Sequence, residues 1–565
     1  MRKECPVIYQ VLPRHFGGGV PYGKLVPNGD IRQNGCGKMS RFTMAFLSDL
    51  KKAGVTHIWY TGLLEHATQT DYSHLGITPD HKAIVKGKAG SPYAVKDYYD
   101  IDPDLADHPK ERMREFQNLL RRTHRAGLGL IMDFVPNHVA RQYRSDNLPA
   151  EACQLGSGDD VSARFLASNN FYYIPGKEFR PWIDLKGPED QPYREAPAKA
   201  TGNDCFSESP GAGDWFETVK LNYGVDYQDG GSKHFDPIPD TWLKMRDILL
   251  FWADKGVDGF RCDMAEMVPV EFWAWVIPSV KKDHPEVLFI AEVYNPGLYR
   301  SFIREGGFDY LYDKVGLYDT LRKVITGMAP ASDISSARWA VSDIDERMLE
   351  FLENHDEQRI ASDFFAGNPL KAVPGMIAAA CLTRSALMVY SGQELGERGM
   401  DEEGYSGRDG RTSIFDYWNP MTLSHLFKGR KYDPSQLSVQ EKAVRSIYER
   451  IIPLKQEPAI KDGEMFDLAY VNKGKSNFDE HKQFAFLRRS PDQLILSVIN
   501  FSDRPVQVGV TLPEHAFEHL CIQPTLQAAA RDLMTNQKLA ISFSHLQDSV
   551  LDIPAWSGRV LEIEL

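Results

Sequence analysis

Four short stretches bring together side chains able to do nucleophilic and acid–base chemistry. They are Asp133, Asn137 and His138 in DFVPNH, Arg261, Asp263 and Glu266 in GFRCDMAE, Glu292 in IAEVY, and Asn354, His355 and Asp356 in ENHD. Arg261 precedes Asp263 by two residues, so on an extended strand both side chains share one face. A guanidinium there favours an ionised Asp263. Glu292 follows the apolar run LFIA, which favours a protonated acid. Two such carboxyl groups about 5–5.5 Å apart can cleave a glycosidic bond with retention. One attacks the anomeric carbon; the other protonates the leaving oxygen and then activates the acceptor. Any one of these carboxylates alone reads equally well as a helix cap or a salt bridge. Gathering several of them is costly, because like charges are then buried together, and that cost points to function.

The elements that would gather them are legible as eight apolar runs. These are residues 7–13, 56–62, 128–135, 257–264, 287–294, 308–313, 348–356 and 386–394. Near-continuous apolar runs suit parallel strands buried on both faces. Between them lie helical patterns, as in PKERMREFQNLLRRTHRAG, with Pro109 in the first turn and Gly127 as the stop. A second, DTWLKMRDILLFWADKG, has Asp240 as its expected N-cap and Gly256 as its close. Eight strand–helix repeats predict an α/β fold, a (β/α)8 TIM barrel whose chemistry sits at the C-terminal ends of its strands. Two regions break the rhythm. Residues 140–225 are irregular and rich in Gly, Pro, Asn and Asp, an insertion after the third strand. Residues 458–565 change to period-two runs such as FDLAYV, QFAFLRR and LILSVINF, which predict a C-terminal antiparallel β-sandwich. The expected division is therefore barrel (1–139), excursion (140–225), barrel (226–457) and sandwich (458–565).

The four motifs, in this order and at strand ends, resemble the four motif regions of the α-amylase family of glycoside hydrolases. IYQVLPRHF, SPYAVKDYYDIDP, VYSGQELG and the C-terminal region extend the resemblance over nearly the whole chain. The resemblance implies Asp263 as nucleophile, Glu292 as acid/base and Asp356 as a third carboxylate that grips substrate hydroxyls. It implies substrate contacts for Arg261, His138 and His355, and for Tyr93 a stacking role beneath the sugar. An oligosaccharide or polysaccharide substrate follows, with no cofactor required for the chemistry. Asn137 matches a position that binds calcium in many members, which leaves room for a structural ion, its ligands unassigned. Two departures touch substrate contacts. MAEM stands where many members carry Lys-His after the nucleophile, and Ser91 stands in place of a histidine before Tyr93.

Charge and cysteine usage narrow the remaining classes. The 65 basic and 78 acidic side chains give a formal charge of −13, a surface that repels nucleic acid and anionic lipid. No apolar run is long enough for a membrane span. The first residues lack a signal-peptide pattern, and seven scattered cysteines without a CxxC pair suit a reducing compartment, so a cytoplasmic location is expected. Cys262, beside Asp263, is expected to face the core. Trp215, Phe216, Tyr172 and Tyr173 either line a sugar cleft or pack the excursion. The same residues would equally serve a transglycosylase, a disaccharide phosphorylase or a trehalose-synthase-like isomerase. A non-catalytic amylase-like binding subunit would be expected to have lost the carboxylates. No feature of the sequence specifies an oligomeric state.

Overall fold

The computed structural model describes residues 4–186 and 191–564, so residues 187–190 of the expected excursion lie outside the described residues. Eight parallel strands close on themselves. They are β1 (Val7–Val11), β2 (His57–Tyr60), β3 (Gly129–Phe134), β4 (Gly259–Cys262), β5 (Leu288–Ala291), β6 (Tyr310–Tyr312), β7 (Met348–Glu350) and β8 (Ala386–Tyr390). Each lies within one of the eight apolar runs. Closure is made by β1, which pairs with β2 on one side and β8 on the other. Alternation explains the packing. Ile8, Trp59, Ile131, Ile290, Leu349 and Met388 fill the lumen. Their neighbours Val7, Ile58, Met132, Phe289 and Leu387 point outward beneath the helices.

Helices cover the outer face, among them α1 (Met44–Lys52), α2 (Arg112–Arg125), α3 (Asp240–Asp254), α4 (Val270–Asp283), α5 (Val373–Cys381) and α6 (Val439–Ile451). In α2 the apolar stripe of Phe116, Leu119 and Leu120 is buried, and the chain turns away at Gly127 with φ +75°, a left-handed conformation costly for residues with a side chain. The expected cap of α3 is corrected. Pro239 is the N-cap and Asp240 the first helical residue. The Asp240 carboxylate instead accepts from the Asn170 amide at 2.9 Å and pairs with Lys244 at 2.8 Å.

Among its described residues, the irregular stretch between β3 and α3 contains only two- and three-residue strands, such as His138–Ala140 paired with Thr218–Lys220. Its own anchor is Arg141. That guanidinium lies buried 3.8 Å over the Phe179 ring, pairs with Glu195 at 2.7 Å and donates to the Phe216 carbonyl at 2.8 Å.

The C-terminal region is antiparallel. Its strands are β9 (Glu464–Asp467), β10 (Gln483–Ser490), β11 (Gln493–Asn500), β12 (Val506–Val510), β13 (Thr525–Asp532), β14 (Lys538–Phe543), β15 (Ser549–Ile553) and β16 (Ser557–Ile563). Six form one sheet in the order β9-β10-β11-β16-β13-β14, and β12 pairs with β15. Both sheets enclose a core that includes Phe478, Leu487, Leu496, Val508 and Leu551. Two details differ from the sequence reading. FDLAYV is a strand only as far as Asp467, after which Ala469–Asn472 forms a helical turn. The strands β13 and β15 fall outside the period-two runs, since TLQAAARD is alanine-rich and largely exposed. Among the described residues no helix is long and apolar enough to cross a membrane.

Candidate active site

The polar ends of β3, β4, β5 and β7 meet at one mouth of the barrel. Asp263, Glu292 and Asp356 line a single cleft of about 430 Å³ together with Tyr93, His138, Ser91 and Trp215. Arg261 sits beneath it, 1% exposed. Its place is set by strand register, since Arg261 lies opposite Asp133 on β3 and Ile290 on β5. From there Nη1 donates to Asp263 Oδ1 at 2.6 Å, and Nη2 lies 2.9 Å from Glu292 Oε1. Nε donates to the Tyr312 hydroxyl at 3.2 Å, and Asp133 Oδ1 is 3.7 Å from Nη1.

One cation therefore serves three buried carboxylates. Asp263 departs from the expectation that Arg261 keeps it ionised. Burial pushes the Asp263 carboxyl well above the usual carboxylate range, Arg261 pulls against it, and the charge of Glu292 adds to the push. Burial likewise raises Asp133 to about 6, again opposed by Arg261. Burial thus pushes both Asp263 and Asp133 toward the protonated form, against the pull of the one guanidinium.

Glu292 sits among more polar groups than LFIA suggests. The backbone N–H of Met264 donates to Oε2 at 2.7 Å, and the Tyr294 hydroxyl donates to Oε1 at 2.7 Å. Met264 adopts a left-handed backbone, φ +44°, a strained conformation that aims its N–H at the carboxylate. Neither contact was legible beforehand. Tyr294 stands in IAEVY without any mark of its role, and nothing in the sequence flags positive φ at Met264.

The ENHD motif is a folded loop with a task for each residue. Glu353 pairs with Arg359 at 2.9 Å, while Asn354 Oδ1 accepts the N–H groups of Asp356 and Glu357. His355 Nδ1 faces the Gln10 amide at 2.8 Å, and Nε2 faces both the Tyr93 hydroxyl at 2.5 Å and Asp356 Oδ2 at 3.0 Å. With the Gln10 amide donating to Nδ1, Nε2 carries the proton. The Tyr93 and His355 rings stack with centroids 5.1 Å apart. Burial, then Arg261, lowers His355 to about 3, and burial, then Lys220 and Lys86, lowers His138 to about 3. Both imidazoles are neutral at pH 7.

Asn137, the position linked by resemblance to calcium, meets a different cation. Its Oδ1 accepts from the Lys220 ammonium, which also pairs with Asp204 at 2.7 Å and donates to the Met267 carbonyl at 3.2 Å. The Asn137 amide donates to the Gly202 carbonyl at 2.7 Å. These residues do not fit a metal ion at Asn137, because the ammonium of a side chain 1% exposed already occupies the donor set.

The two departures are placed as follows. Glu266 Oε2 accepts the N–H groups of Tyr294 and Asn295, tying the loop after β4 to the loop after β5. Ser91 lines the cleft and its Oγ accepts the Tyr93 N–H at 3.2 Å. Trp215 reaches the cleft, edge-on to His138 at 5.2 Å. Phe216, Tyr172 and Tyr173 are buried, so for these three the packing alternative holds. Cys262 is fully buried among the residues packed outside the barrel.

Barrel and C-terminal sheet are features that the chain shares with proteins of the α-amylase type. The model of the α-amylase catalytic domain matches residues 10–185. α-Amylase 3 of Dictyoglomus thermophilum is 24% identical over 55% of this chain and 55% of its own length. An α-1,4-glucan:maltose-1-phosphate maltosyltransferase of Cereibacter sphaeroides is 34% identical over 20% of this chain and 22% of its own. The chain thus spans about half or less of these curated relatives. Among solved structures, the maltogenic α-amylase AmyB of Thermotoga neapolitana superposes with a TM-score of 0.61 at 19% identity, covering 99% of both chains. Residues 10–185 are thus similar to the α-amylase catalytic domain, and the chain shares its fold with the solved α-amylase structure.

Proposed function

We propose that the chain is a retaining glycoside hydrolase acting on α-glucans or maltooligosaccharides through a covalent glycosyl-Asp263 intermediate. The observation that carries this reading is the bridge made by Arg261, which holds Asp263 at 2.6 Å and Glu292 at 2.9 Å in one cleft. Two carboxyl groups on one guanidinium are within reach of the separation of about 5–5.5 Å that retention needs. In the reacting state the proton of the cluster sits on Glu292. Asp263 attacks the anomeric carbon while Glu292 gives its proton to the leaving oxygen. Glu292 then takes a proton from water, which attacks the anomeric carbon and frees Asp263. Asp356 and the neutral His138 and His355 bind sugar hydroxyls, and Tyr93 offers its face to the C–H side of the ring. Arg261 counters the charge that appears when Asp263 is released. In this reading residues 1–139 and 226–457 are the catalytic barrel, 140–225 an inserted domain over its mouth, and 458–565 the C-terminal domain.

A second reading, transfer to a sugar acceptor, uses the same intermediate. The maltosyltransferase match favours it. The deciding experiment is a time-resolved NMR product profile with maltoheptaose, maltose, trehalose and sucrose, with and without phosphate. Shorter α-configured maltooligosaccharides alone support hydrolysis. Longer products, a sugar phosphate or a new disaccharide move the function to transfer. No turnover on any of them removes the reading.

A further inference from the structure

A second groove, of about 580 Å³, shares no residue with the cleft. One wall is the barrel helix Asp333–Ala340, which presents Trp339 at 61% exposure. The other wall is the C-terminal sandwich, which presents Tyr470 at 55% exposure. Tyr470 is displayed because FDLAYV breaks out of β9. Leu468 stays in the sandwich core, and the helical turn that follows turns the tyrosine outward. A continued strand would have paired that segment with β10.

Both rings are held in place. The Arg338 guanidinium lies 5.1 Å from the Trp339 ring centroid, and the Tyr470 hydroxyl bonds His515 Nε2 at 2.5 Å. The groove floor adds polar groups of both kinds. Ser335 Oγ is buried without a hydrogen-bond partner, while Asp467 and Lys473 contribute a carboxylate and an ammonium. Exposed aromatic faces beside mixed donors and acceptors suit a neutral polyol with an apolar C–H face, and the volume lies within the range of about 300–1,000 Å³ usual for ligand sites. An anion would meet Asp467, and a purely apolar ligand would strand the Ser335 hydroxyl.

We propose that this groove binds an α-glucan chain, apart from the catalytic cleft, with glucosyl units stacked on Trp339 and Tyr470. The choice of an α-glucan rests on the proposed function; the exposure of the two aromatic faces in one groove does not. The test is electrophoresis of the whole protein through native gels containing amylopectin, beside turnover of a p-nitrophenyl maltotrioside. Both residues lie at the surface, so Trp339→Ala and Tyr470→Ala leave the fold intact. The wild type and Asp263→Asn should be retarded, and the double variant should bind about tenfold or more weakly. Its kcat/KM on the trioside should stay within about twofold of wild type. Unchanged retardation of the double variant, or no retardation of the wild type, overturns the proposal. Ring-dependent retardation without any turnover supports the groove and refutes only the hydrolytic reading. Sedimentation velocity supplies the last check: a wild-type dimer that Trp339→Ala dissociates would assign the groove to self-association and overturn the proposal.

Discussion

The ammonium of Lys220 donates to Oδ1 of Asn137, so a side chain of the protein stands where many relatives are expected to hold a metal ion. The same ammonium pairs with Asp204 and, through Met267, ties the excursion to the loop after β4. Burial pulls the Lys220 pKa down and Asp204 opposes it.

This arrangement predicts a fold indifferent to chelation. The melting temperature should not change with EDTA, whereas Lys220→Met should cost about 2–3 kcal/mol, toward the low end for a broken buried pair because Asp204 is about one-third exposed. A drop of several degrees in EDTA, reversed by calcium, would refute the assignment of Lys220 as the resident cation.

Replacing the proposed nucleophile tests the covalent route. Asp263→Asn should lower kcat/KM on a maltooligosaccharide by about 10⁴-fold or more, roughly 5.5 kcal/mol on the barrier, with the melting temperature nearly unchanged. Wild-type rates in this variant would remove Asp263 from the mechanism.

The acid role of Glu292 is separable by leaving group. Glu292→Gln should lose activity on maltooligosaccharides by about 10²–10⁴-fold yet keep far more on an aryl glycoside, whose leaving oxygen needs no proton. Equal losses on the two substrates would contradict general acid catalysis by this residue.

His355 carries a pH-dependent share of stability. Its folded value of about 3 lies below the unfolded value of 6.5, so its contribution is complete above pH 6.5 and is lost as pH falls toward 3. Between pH 7 and pH 5 the wild type should therefore lose about 2 kcal/mol relative to His355→Gln. Urea midpoints at the two pH values give the comparison, and a gap that does not change with pH would show that His355 is not buried as a neutral ring.

The proposed reacting set was open to sequence reading because its members follow strands whose apolar pattern is local. Alternation alone puts Arg261 and Asp263 on one face, and eight such runs imply the barrel that brings β4, β5 and β7 together. Other features arise only when distant segments meet. Met264 takes a left-handed backbone and Tyr294 turns its hydroxyl back because both must satisfy a buried Glu292 carboxylate. Asp263 rises rather than falls chiefly because the closed barrel buries it, and Glu292 and Asp133 around the same guanidinium add to that rise, an arrangement that no single motif contains. Lys220 reaches Asn137 only through the pairing of His138–Ala140 with Thr218–Lys220, two short strands separated by a long irregular stretch. FDLAYV leaves its strand at Asp467, and Leu468 beyond it is buried in the sandwich core. Periodicity and motif determined which residues could react; packing decided how their charges are balanced and which aromatic faces remain exposed.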